Sequence, residues 1–257
     1  MLQAHSLLWN YLWVAPNVLL LLLALLMWRR GRHRTFPVFA IYALVSALGQ
    51  LAVYVADIAP WVAAETFWRV DWVSLVSEGV LKFALIAEIF AQAFDPYPSL
   101  ARLGKYLIRG VGVALVLGAA LAAAYAPKDN ANYSVISGAH LLEQTIYLIE
   151  SGLLAFIFVF SAYFRLSLCR PLFGIALGLS ISSCIHLANW AIIANAGLPN
   201  PKRAYLDILG MATYHVCVLI WFYYLLVPPR VAKKSAVSLP ENNLAIWNRE
   251  LERLLHS

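Results

Sequence analysis

With 257 residues, 62% of them hydrophobic and only 12% charged, the chain departs from a soluble domain, which averages roughly 45–50% apolar and 25% charged residues. An ordinary cytoplasmic enzyme is excluded, and a polytopic membrane protein embedded in a lipid bilayer fits. The formal net charge of +6 falls mainly in short gaps between apolar runs; it reads as a topology signal, and no nucleic-acid partner is expected.

Seven stretches can each cross about 30 Å of hydrocarbon, which takes roughly 20 helical residues. The first, 7–28, has Trp9, Tyr11 and Trp13 near one edge and Trp28 at the other. Arg29, Arg30, Arg32 and Arg34 follow it. A secretory leader places its positive charges before the apolar run, so this segment is expected to be a retained helix. The second span, 35–58, contains Gln50. The third, 68–93, contains WVSLVSEGVLKFALIAEIF, in which Glu78, Lys82 and Glu88 occupy positions where lipid would sit. The fourth is 104–125, the fifth 137–163, the sixth 171–196 and the seventh 204–227. The tail, 228–257, follows Pro228 and Pro229. Asn242 or Asn243 can cap a short amphipathic helix there, with Leu244, Trp247 and Leu251 on one face, suited to lie on the inner membrane surface.

The basic residues orient these spans. Arg29 to Arg34 fill the first gap, Arg102, Lys105 and Arg109 surround the third, and Arg165 and Arg170 fill the fifth. Arg230, Lys233 and Lys234 follow the last span. The second, fourth and sixth gaps with their margins hold only Arg69, Lys128, Lys202 and Arg203. The positive-inside rule then puts the N-terminus outside and the C-terminus in the cytoplasm. The expected fold is an all-α, seven-transmembrane-helix bundle, 1–227, with a cytoplasmic tail, 228–257, in the plasma (inner) membrane.

A charge near mid-membrane costs at least roughly 2.5–3.5 kcal/mol, so each buried polar group asks for a partner or a purpose. Glu78 and Lys82 lie four residues apart on one helical face and are expected to pair. Glu88 points elsewhere, to a snorkelling position or a basic loop residue. Glu143 and Glu150, seven apart, form an acidic stripe with His140 and Gln144 above. Ser182, His186 and Asn189 share a face of the sixth span. Asp207 and Tyr214 align on the seventh, with His215 beside them. Asn17 and Gln50 are able to join the same layer. The expected ligand-binding set is Glu78, Lys82, Glu143, Glu150, His186, Asn189, Asp207 and His215, lining a polar cavity open towards the outer side. A fully satisfied packing network is the bland alternative.

Seven helices alone do not define a function. The seventh span has no lysine for a retinal Schiff base and no asparagine–proline–x–x–tyrosine pattern, so neither a rhodopsin nor a hormone-type receptor is supported. Cys169, Cys184 and Cys217 match no zinc or haem spacing. If a metal is held, His186, His215 and Glu150 are its candidate ligands. A metal-dependent intramembrane hydrolase is disfavoured, because HExxH and GxSxG are absent. Gly174 and Gly178 make one G-x-x-x-G, suited to close helix packing or dimerisation. The favoured reading is a small-ligand receptor or sensor working through a membrane or cytoplasmic protein partner. The alternatives are a proton- or cation-coupled transporter and a structural subunit of a larger membrane complex.

Overall fold

The computed structural model describes residues 6–94, 106, 110, 113, 131–163, 168–196 and 200–227; of 131–143, 193–196 and 200–203 it describes the backbone alone. Among the described residues the protein is all-α, with six helices: α1 Leu7–Arg29, α2 Pro37–Ile58, α3 Ala64–Ala93, α4 Ala131–Tyr163, α5 Arg170–Ala196 and α6 Asn200–Leu226. These match six of the seven expected spans to within a few residues. The expected span 104–125 and the tail 228–257 lie outside the described residues, apart from isolated positions.

Local chemistry sets the helix ends. Ser6 caps α1 by accepting the Trp9 N–H at 3.3 Å. After α1 the chain turns at Gly31, whose φ of 70° suits a residue without a Cβ. A short 3-10 turn, Arg32–Arg34, leads to α2, which opens on Pro37, a residue that needs no N–H at the first helical position. The next two amides, Val38 and Phe39, donate to the Glu88 carboxylate of α3 at 3.4 and 3.3 Å. Among the described residues Glu88 thus meets a helix N-terminus and no basic side chain. It caps a helix N-terminus, where exposed N–H groups and the helix dipole favour an anion.

The helices close a ring in which α1 packs on α2, α2 on α3, α3 on α4, α4 on α5, α5 on α6, and α6 back on α1. Contacts fix their directions. Trp13 meets Tyr54, so α1 and α2 are antiparallel. Gln50 meets Glu78 while Val38 meets Glu88, so α2 and α3 are antiparallel. Lys82 faces Glu150, Phe90 stacks on Phe156 and Phe94 meets Phe160 edge-on, so α3 and α4 run parallel. Tyr147 meets His186 while Phe158 meets Phe173, and Asn189 meets Leu206 while Trp221 meets Ile175; α5 is antiparallel to both neighbours. Tyr11 lies by His215 and Arg30 by Leu226, so α1 and α6 are parallel.

The half of the bundle nearer Arg30 is a sealed apolar core. Leu23, Met27, Phe39, Leu85, Ile89, Leu154 and Ile175 are wholly buried in one cluster. Trp221 sits at its centre, edge-on to Phe39 at 5.4 Å and Tyr42 at 6.1 Å, and donates its indole N–H to the Ile175 carbonyl at 3.3 Å. Gly178 makes room for it and Gly174 for Tyr224: a Cβ at either glycine would collide with its neighbour. The G-x-x-x-G pair thus serves packing within the chain, between α5 and α6.

Outward faces are apolar. Leu22, Leu25, Leu48, Val55, Val159 and Leu219 are exposed, an arrangement that water penalises and lipid does not. Five helices are long and apolar enough to cross a membrane: Leu7–Arg29, Pro37–Ile58, Gln144–Tyr163, Arg170–Ile192 and Ala204–Leu226. The chain is an integral, polytopic helical membrane protein. Helix α3 is not among the five, because Glu65, Arg69, Asp71, Glu78, Lys82 and Glu88 dilute its apolar character.

Candidate functional site

The other half of the bundle, nearer Ser6, encloses a cavity of about 490 Å³. This lies within the roughly 300–1,000 Å³ of small-molecule sites. From α1 it is lined by Trp9, Trp13 and Asn17, and from α2 by Gln50. Helix α3 gives Trp68, Asp71, Leu75, Glu78 and Lys82 at three- and four-residue steps, so one face supplies its wall. The opposite stripe, Val73, Val76 and Val80, is exposed. Tyr147 comes from α4, and Ser182, His186, Asn189 and Trp190 from α5. Asp207, Gly210 and Tyr214 complete the wall from α6.

Lys82 organises the floor. Its ammonium lies 3.2 Å from Glu78 and 3.7 Å from Glu150, and 4.6 Å from the centroid of the Tyr147 ring. The expected Glu78–Lys82 pair is one half of a triad linking α3 to α4. Glu150 is the deepest member, 1% exposed, with Lys82 as its ion-pair partner and the Ser183 hydroxyl beside it. Glu78 is bound a second time, by the Gln50 amide at 3.4 Å.

The remaining expected residues separate into those at the cavity and those away from it. His186 lines it and stacks flat on Tyr147, with centroids 4.6 Å apart and planes 5° apart. Asn189 lines it while donating to the Leu206 carbonyl at 2.9 Å, which ties α5 to α6. Asp207 lines it from α6. His215 does not: its ring packs on Tyr11 of α1, 5.9 Å away. Glu143 and His140 lie on α4 where side chains fall outside the described residues. Among the described residues no three His, Cys, Asp or Glu side chains gather as metal ligands. The set His186, His215 and Glu150 is not assembled, because one helical step turns His215 away from Tyr214 and the cavity.

Sequence reasoning missed Asp71, Trp68, Trp190 and Tyr147 as wall residues. Asp71 was within reach, since it precedes Glu78 by seven residues, the spacing that aligns Glu143 with Glu150. Asn17, in contrast, is where the sequence suggested. It is 2% exposed, its amide donates to the Trp13 carbonyl at 2.7 Å, and its Oδ1 has no partner among the described residues.

No family model, curated protein or solved structure matches the chain. The chemistry is accordingly read from the site itself.

Proposed function

We propose that the protein is a receptor or sensor of the plasma (inner) membrane that takes a small ligand into this cavity from the outer side. The observation that carries the reading is the division of the ring: a polar, aromatic-walled cavity at the Ser6 end and a sealed apolar core at the Arg30 end. A through-pore is not supported by such a floor. A ligand contacting α1, α3, α5 and α6 together would bias their packing. The cytoplasmic loops and tail would pass that change to a protein partner.

The proposed topology has seven crossings, with the N-terminus outside. Because α3 and α4 are parallel, the chain must return between Phe94 and Ala131, and 104–125 is the stretch suited to cross. The exposed valines of α3 support its crossing despite its charges. Arg30 and Arg32 donate to the carbonyls of Leu226 and Leu225, and Arg170 lies over the Tyr223 ring at 4.8 Å. Basic residues from separate gaps thus meet at one end, which supports that end as cytoplasmic.

A proton- or cation-coupled transporter is the second reading, favoured by the buried Glu78–Lys82–Glu150 triad. Purified protein in lipid distinguishes them. Ligand-dependent stabilisation without uptake into proteoliposomes is expected. Uptake driven by a proton or cation gradient would replace the sensor with a transporter. Isolation always with the same membrane partners, and no ligand response, would replace both with a structural subunit.

A further inference from the structure

At the Arg30 end, the loop between α1 and α2 sorts its arginines. Arg30 and Arg32 donate to the Leu226 and Leu225 carbonyls, so they are engaged at the open end of α6. Arg29 and Arg34 are exposed and have no hydrogen-bond or ion-pair partner among the described residues. Trp28, also exposed, stacks on His33 with centroids 4.5 Å and planes 14° apart. The stack folds the loop against the last turn of α1, where Arg29 lies. Glu88, the carboxylate of α3 nearest this loop, is occupied by the Val38 and Phe39 amides. In sequence, 29–36, 94–109, 164–170 and 228–257 together carry 14 lysines and arginines against 4 aspartates and glutamates. The sign at this end therefore stays positive however those other segments lie.

A second observation, independent of charge, lies on α1 itself. Val18, Leu22, Leu25 and Arg29 follow one another at four-, three- and four-residue steps, within about 60° round the helix, and all four are exposed. From Val18 to Arg29 the helix rises about 16 Å, close to the roughly 15 Å that one leaflet contributes to the hydrocarbon core. A soluble phosphate would need the arginines alone. This stripe has the length and the apolar character to carry an acyl chain, with a free cation at its surface end and an interfacial tryptophan beside it.

We propose that the α1–α2 loop is a binding site for an anionic phospholipid, its phosphate held by Arg29 and Arg34, its headgroup beside Trp28 and one acyl chain laid along Leu25, Leu22 and Val18. Guanidinium groups take phosphate oxygens through paired hydrogen bonds, and arginines just outside a membrane span attract anionic lipid. The inference rests on the helices crossing lipid and not on what the cavity binds. Arg30 and Arg32 of the same loop hold the last carbonyls of α6, so a lipid docked here stabilises the junction of α1 with α6 and is read in the unfolding of the protein.

The test is thermal unfolding of the full chain in maltoside detergent with dioctanoyl phosphatidylglycerol, dioctanoyl phosphatidylcholine or glycerol 3-phosphate. Phosphatidylglycerol is expected to raise Tm by about 5 °C or more at a hundredfold excess over Kd, and the other two much less. Arg29→Gln with Arg34→Gln is expected to raise the lipid concentration needed about thirtyfold. Lys233→Gln with Lys234→Gln removes the same charge from the tail and is expected to leave the response in place. Equal stabilisation by phosphatidylcholine overturns the anionic class. An equal response to glycerol 3-phosphate gives the arginines to a soluble phosphate and overturns the lipid. Equal weakening in the two double variants shows attraction by overall charge, and an unchanged response without Arg29 and Arg34 places the lipid elsewhere; either result overturns the site, as does no response to phosphatidylglycerol. None of these outcomes bears on the cavity, which the ligand and uptake measurements test separately.

Discussion

Lys82 joins the cavity to the protein's stability. It is buried on α3 between Glu78, whose side chain is 15% exposed, and Glu150, which is 1% exposed. Lys82→Met would leave two carboxylates without their shared cation. Breaking a buried ion pair by removing one partner costs about 3–5 kcal/mol, so a marked loss of stability in detergent melts is expected. The two possible rescues differ. Lys82→Met with Glu150→Gln should recover more stability than Lys82→Met with Glu78→Gln, because Glu150 is the more deeply buried carboxyl and Glu78 keeps Gln50. Equal rescue by both would show that the deeper carboxyl does not depend on the lysine. The sequence made the Glu78–Lys82 pair legible through its four-residue spacing. It placed Glu150 in the polar layer but not against Lys82, since a contact between helices depends on their rotation and no local spacing records that.

Helix existence was legible along nearly the whole described chain, because hydropathy acts on each segment separately. How the elements meet was not. Glu88 reads as a misplaced charge until α2 is set beside α3, and then it becomes the cap of another helix. Glu88→Ala should lower stability by about 1 kcal/mol, the usual scale for a lost cap. Faster hydrogen exchange at Val38 and Phe39, with no change at the cavity end, is the accompanying expectation. Unchanged exchange there would remove the capping role. Gly174 and Gly178 are a parallel case, since a G-x-x-x-G suits a partner chain or a neighbouring helix equally well. The structure presses Trp221 and Tyr224 against them. Gly178→Ala is expected to cost about 1–3 kcal/mol through overpacking and to shift Trp221 fluorescence, with the oligomeric state unchanged. A changed oligomeric state at constant stability would return the pair to dimerisation.

At the scale of the whole molecule, the parallel arrangement of α3 and α4 constrains the path more strongly than counting apolar segments. Two neighbouring helices that point the same way need a return between them. Gly79 against Ile146, Lys82 against Glu150 and Phe94 against Phe160 keep that direction along the shared length. The six described helices alone would break the alternation that a membrane requires, and the proposed crossing at 104–125 would restore it. That proposed crossing would make the total odd, in keeping with Arg30 of the first gap donating to the Leu226 carbonyl at the far end of α6. Single cysteines test this in a background with Cys169, Cys184 and Cys217 replaced by alanine. A cysteine replacing Ser99 should react with a membrane-impermeant maleimide only after the cells are opened, and one replacing Lys128 should react in intact cells. Lys234→Cys should behave like Ser99→Cys. Labelling of the Ser99 and Lys128 positions from one and the same side would mean that no crossing separates α3 from α4. It would also deprive the cavity of its proposed outward orientation, because the side assigned to the Ser6 end depends on that alternation.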